Sequence, residues 1–376
     1  MAGVSQKRNR WLQATAQRRA LALLTYVCEP GSAIARAAHT REPESVVEAL
    51  RTGEFGVDAR DSADHRWRNV DIDRVLDACH EPGHDVIGGF ITAFDQQWPQ
   101  QLNDLDDPPL GLWVKGCDPE QSLAMSSVAV VGARAATQYG QRIALSLAAD
   151  VAGRGFAIVS GGAFGIDAAA HRGAMTTGVT VCVLASGIET AYPSAHRQLF
   201  EQVAGRGLII SEVPPHEPAR RFRFLRRNRI IAALGRGTVV VEASLRSGSL
   251  GTARRARDLG RIVMAVPGPV TSHTSTGCHE LLRTDPGTLL VTCAEDVIDA
   301  VGALGVDAAD WRSGPAHPLD AVSDDARIVH DYLAAAATAG SVRLDSGLPA
   351  PKVAAALTEL LAHGLVVRNG DRWSRA

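Results

Sequence analysis

Short, nearly continuous apolar runs recur through the middle of the chain, at Val128–Val131, Ala157–Ser160, Val179–Ala185, Leu208–Ser211, Thr238–Val241, Ile262–Val266 and Leu289–Val291. Runs of this length without polar alternation predict strands covered on both faces, and the segments between them have helical character. The stretch from Ser126 to about Ala303 therefore predicts an α/β class domain, a doubly wound parallel sheet. Ahead of it, Arg18–Val27 and Pro43–Leu50 predict a compact helical piece that ends near Gly53. Residues 57–83 turn charged and irregular, and Trp98-Pro99 and Asp107-Pro108-Pro109 lead into the first apolar run, so this part reads as a packed connector. Asp307–Asp320, with Trp311 and His317-Pro318, reads as a linker. Beyond it, helices over Ala326–Ala337 and Ala350–His363 precede a hairpin, Leu365–Arg368 to Trp373, turning at Asn369-Gly370-Asp371.

That helix–helix–hairpin order is of winged-helix type, and the whole divides into a small helical domain (1–60), a connector (61–97), the sheet domain (98–305), a linker (306–320) and a winged-helix-like domain (321–376). The 376 residues allow roughly two to three domains, and 45% apolar content suits a soluble globular protein. The basic start (Lys7, Arg8, Arg10) is followed by no apolar run, and no stretch is long enough to span a membrane, so a cytoplasmic location is expected. Cys28, Cys79, Cys117, Cys182, Cys278 and Cys293 are scattered without a C-x-x-C pair, in keeping with reduced thiols.

Charge changes the picture locally. Net charge is −2, and Lys7, Lys115 and Lys352 are the only lysines, so positive charge is almost all arginine. Yet Arg220–Arg229 holds six arginines, with Phe222 and Phe224 among them, and no acid lies between Glu217 and Glu242. Guanidinium groups fork onto phosphate oxygens, and phenylalanine faces stack on bases. Single-stranded nucleic acid is the simplest ligand with both features, while a solvated arginine-rich helix start has the same composition.

Three strand-to-helix junctions carry phosphate-binding chemistry: Gly132-Ala-Arg134-Ala-Ala-Thr137, Gly161-Gly162-Ala-Phe-Gly165-Ile-Asp167 and Ala243-Ser-Leu-Arg-Ser247-Gly248-Ser249. All three open on one sheet edge, where helix N-termini present free N–H groups. Glycine at such turns also serves geometry alone. A nicotinamide site is poorly matched, because the first junction lacks G-x-G-x-x-G and the second strand ends in Ser160-Gly161 rather than an acid. A P-loop is absent, since no lysine lies in such a loop. Cys79-His80-Glu81-Pro82-Gly83-His84 has the letters of a zinc helix, but Pro82-Gly83 prevents the helix, and no metal or cofactor is expected. Ser160, Asp167 and His171 form a triad only on paper, with capping and an i,i+4 Asp167–His171 pairing the expected roles.

Taken in order, Val131–Thr137, Ser160–His171, Tyr192-Pro193, Ser211-Glu212, Arg227-Asn228-Arg229, Val241–Ala243, Ser247–Leu250, Gly260-Arg261 and Ala265–Gly268 resemble the DNA-processing DprA (Smf) family over roughly residues 98–300. The resemblance implies an extended Rossmann-like domain that binds single-stranded DNA, forms a homodimer, and protects incoming DNA and loads the RecA recombinase in natural transformation. It implies a binding protein rather than an enzyme. By position, Gly132, Arg134, Gly161 and Gly162 would form a phosphate pocket, Arg221 would add a phosphate contact and Phe224 would stack on a base. Arg223, Arg226, Arg227 and Asn228 would lie on the same DNA-binding segment, with Ser247, Gly248 and Ser249 on the pocket floor. The sequence departs from the family pattern at Leu225, Gly251, Thr276–His279 and Asp285–Gly287. The competing reading is a nucleoside monophosphate phosphoribohydrolase on a related fold, but its P-G-G-x-G-T-x-x-E loop is not matched here.

Overall fold

The computed structural model describes residues 16–68, 70–78, 87–116, 122–123, 125–302 and 318–376. The basic N-terminus, the Cys79–His84 motif and most of the linker lie outside the described residues. The chain forms two compact units, Met1–Ala309 and Asp310–Ala376.

The first unit begins with α1 (Ala16–Val27), α2 (Ala33–Thr40), α3 (Pro43–Arg51), α4 (Val57–Trp67) and α5 (Ile72–Ala78). There follow β1 (Ile87–Ile91), β2 (Leu112–Gly116), β3 (Ser127–Gly132), α6 (Gln138–Gly153), β4 (Ala157–Gly161), α7 (Ile166–Thr177) and β5 (Thr180–Val183). The unit continues through α8 (Arg197–Arg206), β6 (Leu208–Ser211), α9 (Arg221–Leu234), β7 (Gly237–Val241), α10 (Gly248–Asp258), β8 (Ile262–Ala265), α11 (Thr276–Thr284), β9 (Thr288–Leu290) and α12 (Ala294–Val301). The nine strands form one sheet in the order β1-β2-β6-β5-β4-β3-β7-β8-β9. Pairing is parallel from β6 to β9 and antiparallel for β1–β2 and β2–β6.

Each of the seven apolar runs forms a parallel strand, and alternate residues explain why they are so apolar. Ala129 and Val131 face a core shared with Ile230, Ile231, Leu250 and Ala253 of α9 and α10. Val128 and Val130 face Leu147, Val151, Ile166 and Ala170 of α6 and α7. Burial on both sides removes the reason for polar alternation.

β1 and β2 were not legible as strands. Ile87–Ile91 lies in the stretch expected to be a connector, where it pairs with β2 at the sheet edge. Both strands are short, glycine-containing and flanked by prolines, so their signal is tertiary. Trp113 of β2 is fully buried, stacks on Phe90 at 4.6 Å between centroids and meets Tyr26 of α1 edge-on at 6.2 Å. Its indole N–H donates to Thr25 Oγ1 at 3.3 Å. Leu21 and Leu24 of α1 join Trp113, Phe200 and Ile209 in one core, so the N-terminal helices pack onto the sheet rather than forming a core of their own.

The second unit runs α13 (Asp324–Asp331), β10 (Ala337–Thr338), α14 (Ala339–Ser346), α15 (Ala350–Ala362), β11 (Val366–Asn369) and β12 (Arg372–Arg375). Its sheet order is β10-β12-β11. Val329, Leu333, Val342, Val353, Leu357, Leu360 and Val366 build its core. The helix expected over Ala326–Ala337 stops at Asp331, because Leu333 turns inward and Ala337 pairs with Trp373. Among the described residues no helix is long and apolar enough to cross a membrane.

His171 of α7 is fully buried, with Nδ1 at 2.7 Å from Thr180 Oγ1 and Nε2 at 2.8 Å from the Gly161 carbonyl. The expected i,i+4 pairing with Asp167 is therefore not made, since both ring nitrogens already have partners across β4 and β5. Burial pushes its pKa down to about 4.

Two predictions follow from this packing. Trp113→Ala should lower unfolding free energy by about 3–5 kcal/mol in urea titration and also raise hydrogen exchange in α1. Because His171 binds a proton more weakly folded than unfolded, stability should fall as pH drops from about 6.5 and level off near 4. The total loss is about 3 kcal/mol, and it should be absent from the stability–pH curve of His171→Gln.

Candidate functional site

Strand order reverses between β3 and β7, because the chain winds outward to β6 and then returns to the other side. A crevice opens at such a switch point, beyond the carboxyl ends of the strands. Here it is a pocket of about 400 Å³. Gly132, Ala133 and Arg134 line it after β3, Ala163 and Asp167 after β4, Ser244 and Ser247–Ser249 after β7, and His273 and Thr274 after β8. Phe224, Leu225, Arg227, Asn228 and Ile231 of α9 close one side.

Glu242 braces three of these loops. It is buried and has φ +52°, a conformation uncommon outside glycine. Its carboxylate accepts the Thr137 N–H at 2.8 Å, the Thr137 hydroxyl at 2.5 Å and the Thr274 hydroxyl at 3.1 Å. Its own carbonyl accepts the Ala133 N–H at 2.7 Å. The loops after β3, β7 and β8 are thus tied to one carboxylate-bearing residue. The local strain, of order 1–3 kcal/mol, is held by these bonds.

Arg227 forms the floor. Its Nη1 donates to the Val183 carbonyl at 2.8 Å, while the buried Nε has no partner among the described residues. A Cβ on Gly161 would collide with this guanidinium, so glycine is required there to admit the arginine. Burial lowers the Arg227 pKa, with Asp167 opposing, and the group remains a cation. Burial also raises the Asp167 carboxyl, against the pull of Arg227. Asp167 accepts the Ala163 N–H at 3.3 Å, and Gly165, at φ +75°, makes the turn into α7. Ser247 caps α10 by accepting the Ser249 N–H, and its hydroxyl lies 2.7 Å from that of Ser249. The first turn of α10 is aimed at the pocket.

At the mouth, the Arg134 guanidinium lies over the Phe224 ring, 5.3 Å from its centroid. Tyr192 meets the same ring at 5.5 Å. Tyr192 and Phe164 are about half exposed, and Phe164 packs on His196 at 4.4 Å. Arg134 and Arg221 are exposed, and neither forms an ion pair among the described residues.

Several expected residues are placed differently. Gly161 and Gly162 are buried below the pocket, where Gly161 makes room for Arg227 and Gly162 packs on Phe200 and Leu184. Arg223 is 4% exposed and every nitrogen is engaged: Nε and Nη2 donate to Glu29 at 2.9 and 2.7 Å, Nη2 also to Glu217 at 3.2 Å, and Nη1 to the Pro218 carbonyl at 2.9 Å. It is thus a docking residue outside the pocket. Arg226 pairs with Asp107 at 3.2 Å, and Arg229 is buried against Glu212. Arg220 reaches Glu29 at 3.4 Å. The arginine run is largely neutralised by carboxylates distant in sequence, and Arg221 remains outward. Gly132, Arg134, Phe224, Arg227, Asn228, Ser247, Gly248 and Ser249 do come together. Sequence reasoning placed Phe164 and Asp167 in the second phosphate junction, with Asp167 only as a helix cap or His171 partner, and missed His273 and Thr274 as pocket residues and Tyr192 beside the mouth. Of the missed residues only Tyr192, an aromatic beside Pro193, offered a signal. The Ser160 hydroxyl donates to the Val130 carbonyl and His171 is committed elsewhere, so the paper triad is not assembled.

With this geometry in view, comparison with known proteins is informative. The family described as DNA recombination-mediator protein A matches residues 89–302. A DprA protein of Mycobacterium tuberculosis is 41% identical over 370 residues, covering 94% of this chain and 93% of its own. Protein Smf of Escherichia coli is 36% identical over 272 residues, covering 72% and 71%. The X-ray structure of DNA processing protein A from Streptococcus pneumoniae superposes with a TM-score of 0.57 at 31% identity, covering 79% of this chain and 96% of that one. The Helicobacter pylori DNA processing protein A, described for its single-stranded DNA binding mode, gives 0.50 at 29% identity, covering 56% and 94%. With more than half of the chain inside the family match and a relative of this identity along nearly its whole length, the chain belongs to the DNA recombination-mediator protein A (DprA/Smf) family.

Proposed function

We propose that this protein binds single-stranded DNA and acts in DNA processing by binding rather than catalysis. The observation that carries the reading is the Arg134–Phe224 pair at the mouth of the switch-point pocket. A phosphate can sit against Arg134, the unpartnered Arg227 Nε and the first turn of α10, while a base stacks on Phe224 or Tyr192. Backbone contacts of this kind give little base preference. Single-strand binding by the Helicobacter pylori relative supports the same reading. The finer proposal is that the protein is cytoplasmic, protects incoming strands in natural transformation and hands them to the RecA recombinase as a homodimer. Leu289 and Leu290, exposed on edge strand β9, offer an apolar surface for a second copy.

The helix, strand, helix, helix, hairpin order of the second unit supports the winged-helix reading. Lys352, the one Lys or Arg of α15, pairs with Asp325 at 3.0 Å. A protein contact suits that helix better than a duplex groove. The phosphoribohydrolase alternative draws less support, because the Glu242 carboxylate at the pocket edge is committed to Thr137 and Thr274.

Fluorescence anisotropy with labelled oligo-dT and the matching duplex across a salt series tests the assignment. Wild type should prefer the single strand. Arg134→Ala and Arg221→Ala should each weaken binding to all sequences and lower the salt slope by about 0.7. Phe224→Ala should lose about 1–3 kcal/mol of binding. Arg223→Ala should instead lower folding stability by about 1–3 kcal/mol, through the loss of its buried hydrogen bonds to Glu29, Glu217 and the Pro218 carbonyl. Wild-type affinity in the Arg134, Arg221 and Phe224 variants would overturn the site, and base release from AMP or CMP would restore the enzyme reading.

A further inference from the structure

Most arginines around α9 and α10 have a carboxylate within ion-pair reach. Arg220 and Arg223 have Glu29, Arg226 has Asp107, Arg229 has Glu212, Arg257 has Asp285 at 2.7 Å and Arg261 has Asp104 at 2.5 Å. Arg254 and Arg255, like the exposed Arg221 and Arg246, form no ion pair among the described residues. Arg254 is exposed and Arg255 is half-buried.

Their position on α10 is specific. Leu250, Ala253 and Ala256 form its buried face, packed with Ile230, Ile231 and Leu234 of α9. Gly248 and Thr252 line the pocket. Arg255 follows Thr252 by three residues and Gly248 by seven, so it continues the pocket-facing stripe one turn further along the helix. The space above this turn is open, because a side chain at Gly251 would meet only the Arg254 guanidinium, at 3.9 Å. Like charges gather at the spot. Arg255 is disfavoured as a cation first by burial and then by Arg229, Arg226 and Arg254, with Asp258 opposing. Two cations without an ion pair among the described residues, on the helix whose first turns line the pocket, are suited to an external polyanion.

We propose that the groove between α9 and α10 is a second contact surface for the phosphodiester backbone, with Arg254 and Arg255 holding phosphates of a strand that leaves the switch-point pocket. This rests on the reading of that pocket as a single-strand site. The pocket engages one or two nucleotides through Arg134, Arg227 and Phe224, and the groove extends the footprint along the same strand. Strand length is therefore the discriminating variable.

The experiment compares the full chain with the Arg254→Ala/Arg255→Ala double variant, using oligo-dT of about 4 and about 16 nucleotides across a salt series. The short oligonucleotide should bind both proteins alike. The long one should bind the variant more weakly, with a salt slope smaller by about 1.4, the value for two lost phosphate contacts on a single strand. Arg254→Lys/Arg255→Lys should restore the slope, and unchanged thermal unfolding would exclude loss of fold as the cause. If both oligonucleotides bind wild type and variant equally, the groove is overturned while the pocket stands. If neither binds wild type, the pocket reading falls and the groove with it.

Discussion

Everything at the site depends on how α9 is held. Its first turns carry arginine after arginine, an arrangement that opposes the helix dipole and repels itself. The fold resolves this by bringing carboxylates to it from elsewhere: Glu29 from the loop after α1, Asp107 from the segment before β2, Glu212 from the end of β6 and Glu217 from the turn before α9. Arg223 is thereby buried with every nitrogen hydrogen-bonded and Arg229 is buried in an ion pair with Glu212, its Nε and Nη1 making no hydrogen bond among the described residues, and α9 is fixed against both the sheet and the N-terminal helices. With those arginines committed inward, Arg221 stays outward, Phe224 reaches the pocket mouth and Arg227 enters the floor. The N-terminal helices thus shape the site without lining the pocket.

The second constraint is topological. Reversal of winding between β3 and β7 leaves a crevice that no helix covers, and four loops converge there. Loops carrying glycine and small polar residues would ordinarily drift. Glu242 prevents this by gathering Thr137 and Thr274 on one carboxylate and Ala133 on its carbonyl. Beneath them, Arg227 occupies the volume that Gly161 leaves empty and ends on the Val183 carbonyl. Its unsatisfied Nε keeps positive potential in a place water reaches poorly, where a phosphate oxygen gains most from it.

Residue patterns can be legible while their roles are not. Glycine after a strand signals a close approach, but the partner differs: at Gly161 it is an arginine side chain, and at Gly162 it is Phe200. An arginine run signals positive charge, yet its net field depends on acids as far away in sequence as Glu29. The His171 environment makes the same point, since Asp167 is four residues away on the helix but Thr180 and Gly161, on neighbouring strands, take its nitrogens.

The sequence alone determined the parallel sheet, because seven buried strands must be apolar on both faces and that pattern survives in any context. It also determined which loops hold the pocket, since Gly132, Arg134, Ser247 and Ser249 follow strands directly and strand ends in a parallel sheet share one edge. Tertiary structure decided the rest. The edge strands β1 and β2 exist because Phe90, Trp113 and α1 pack together, which no local period encodes. The division of the arginines into buried ions and outward cations was likewise settled only in three dimensions, because ion pairing depends on distance in space rather than separation along the chain.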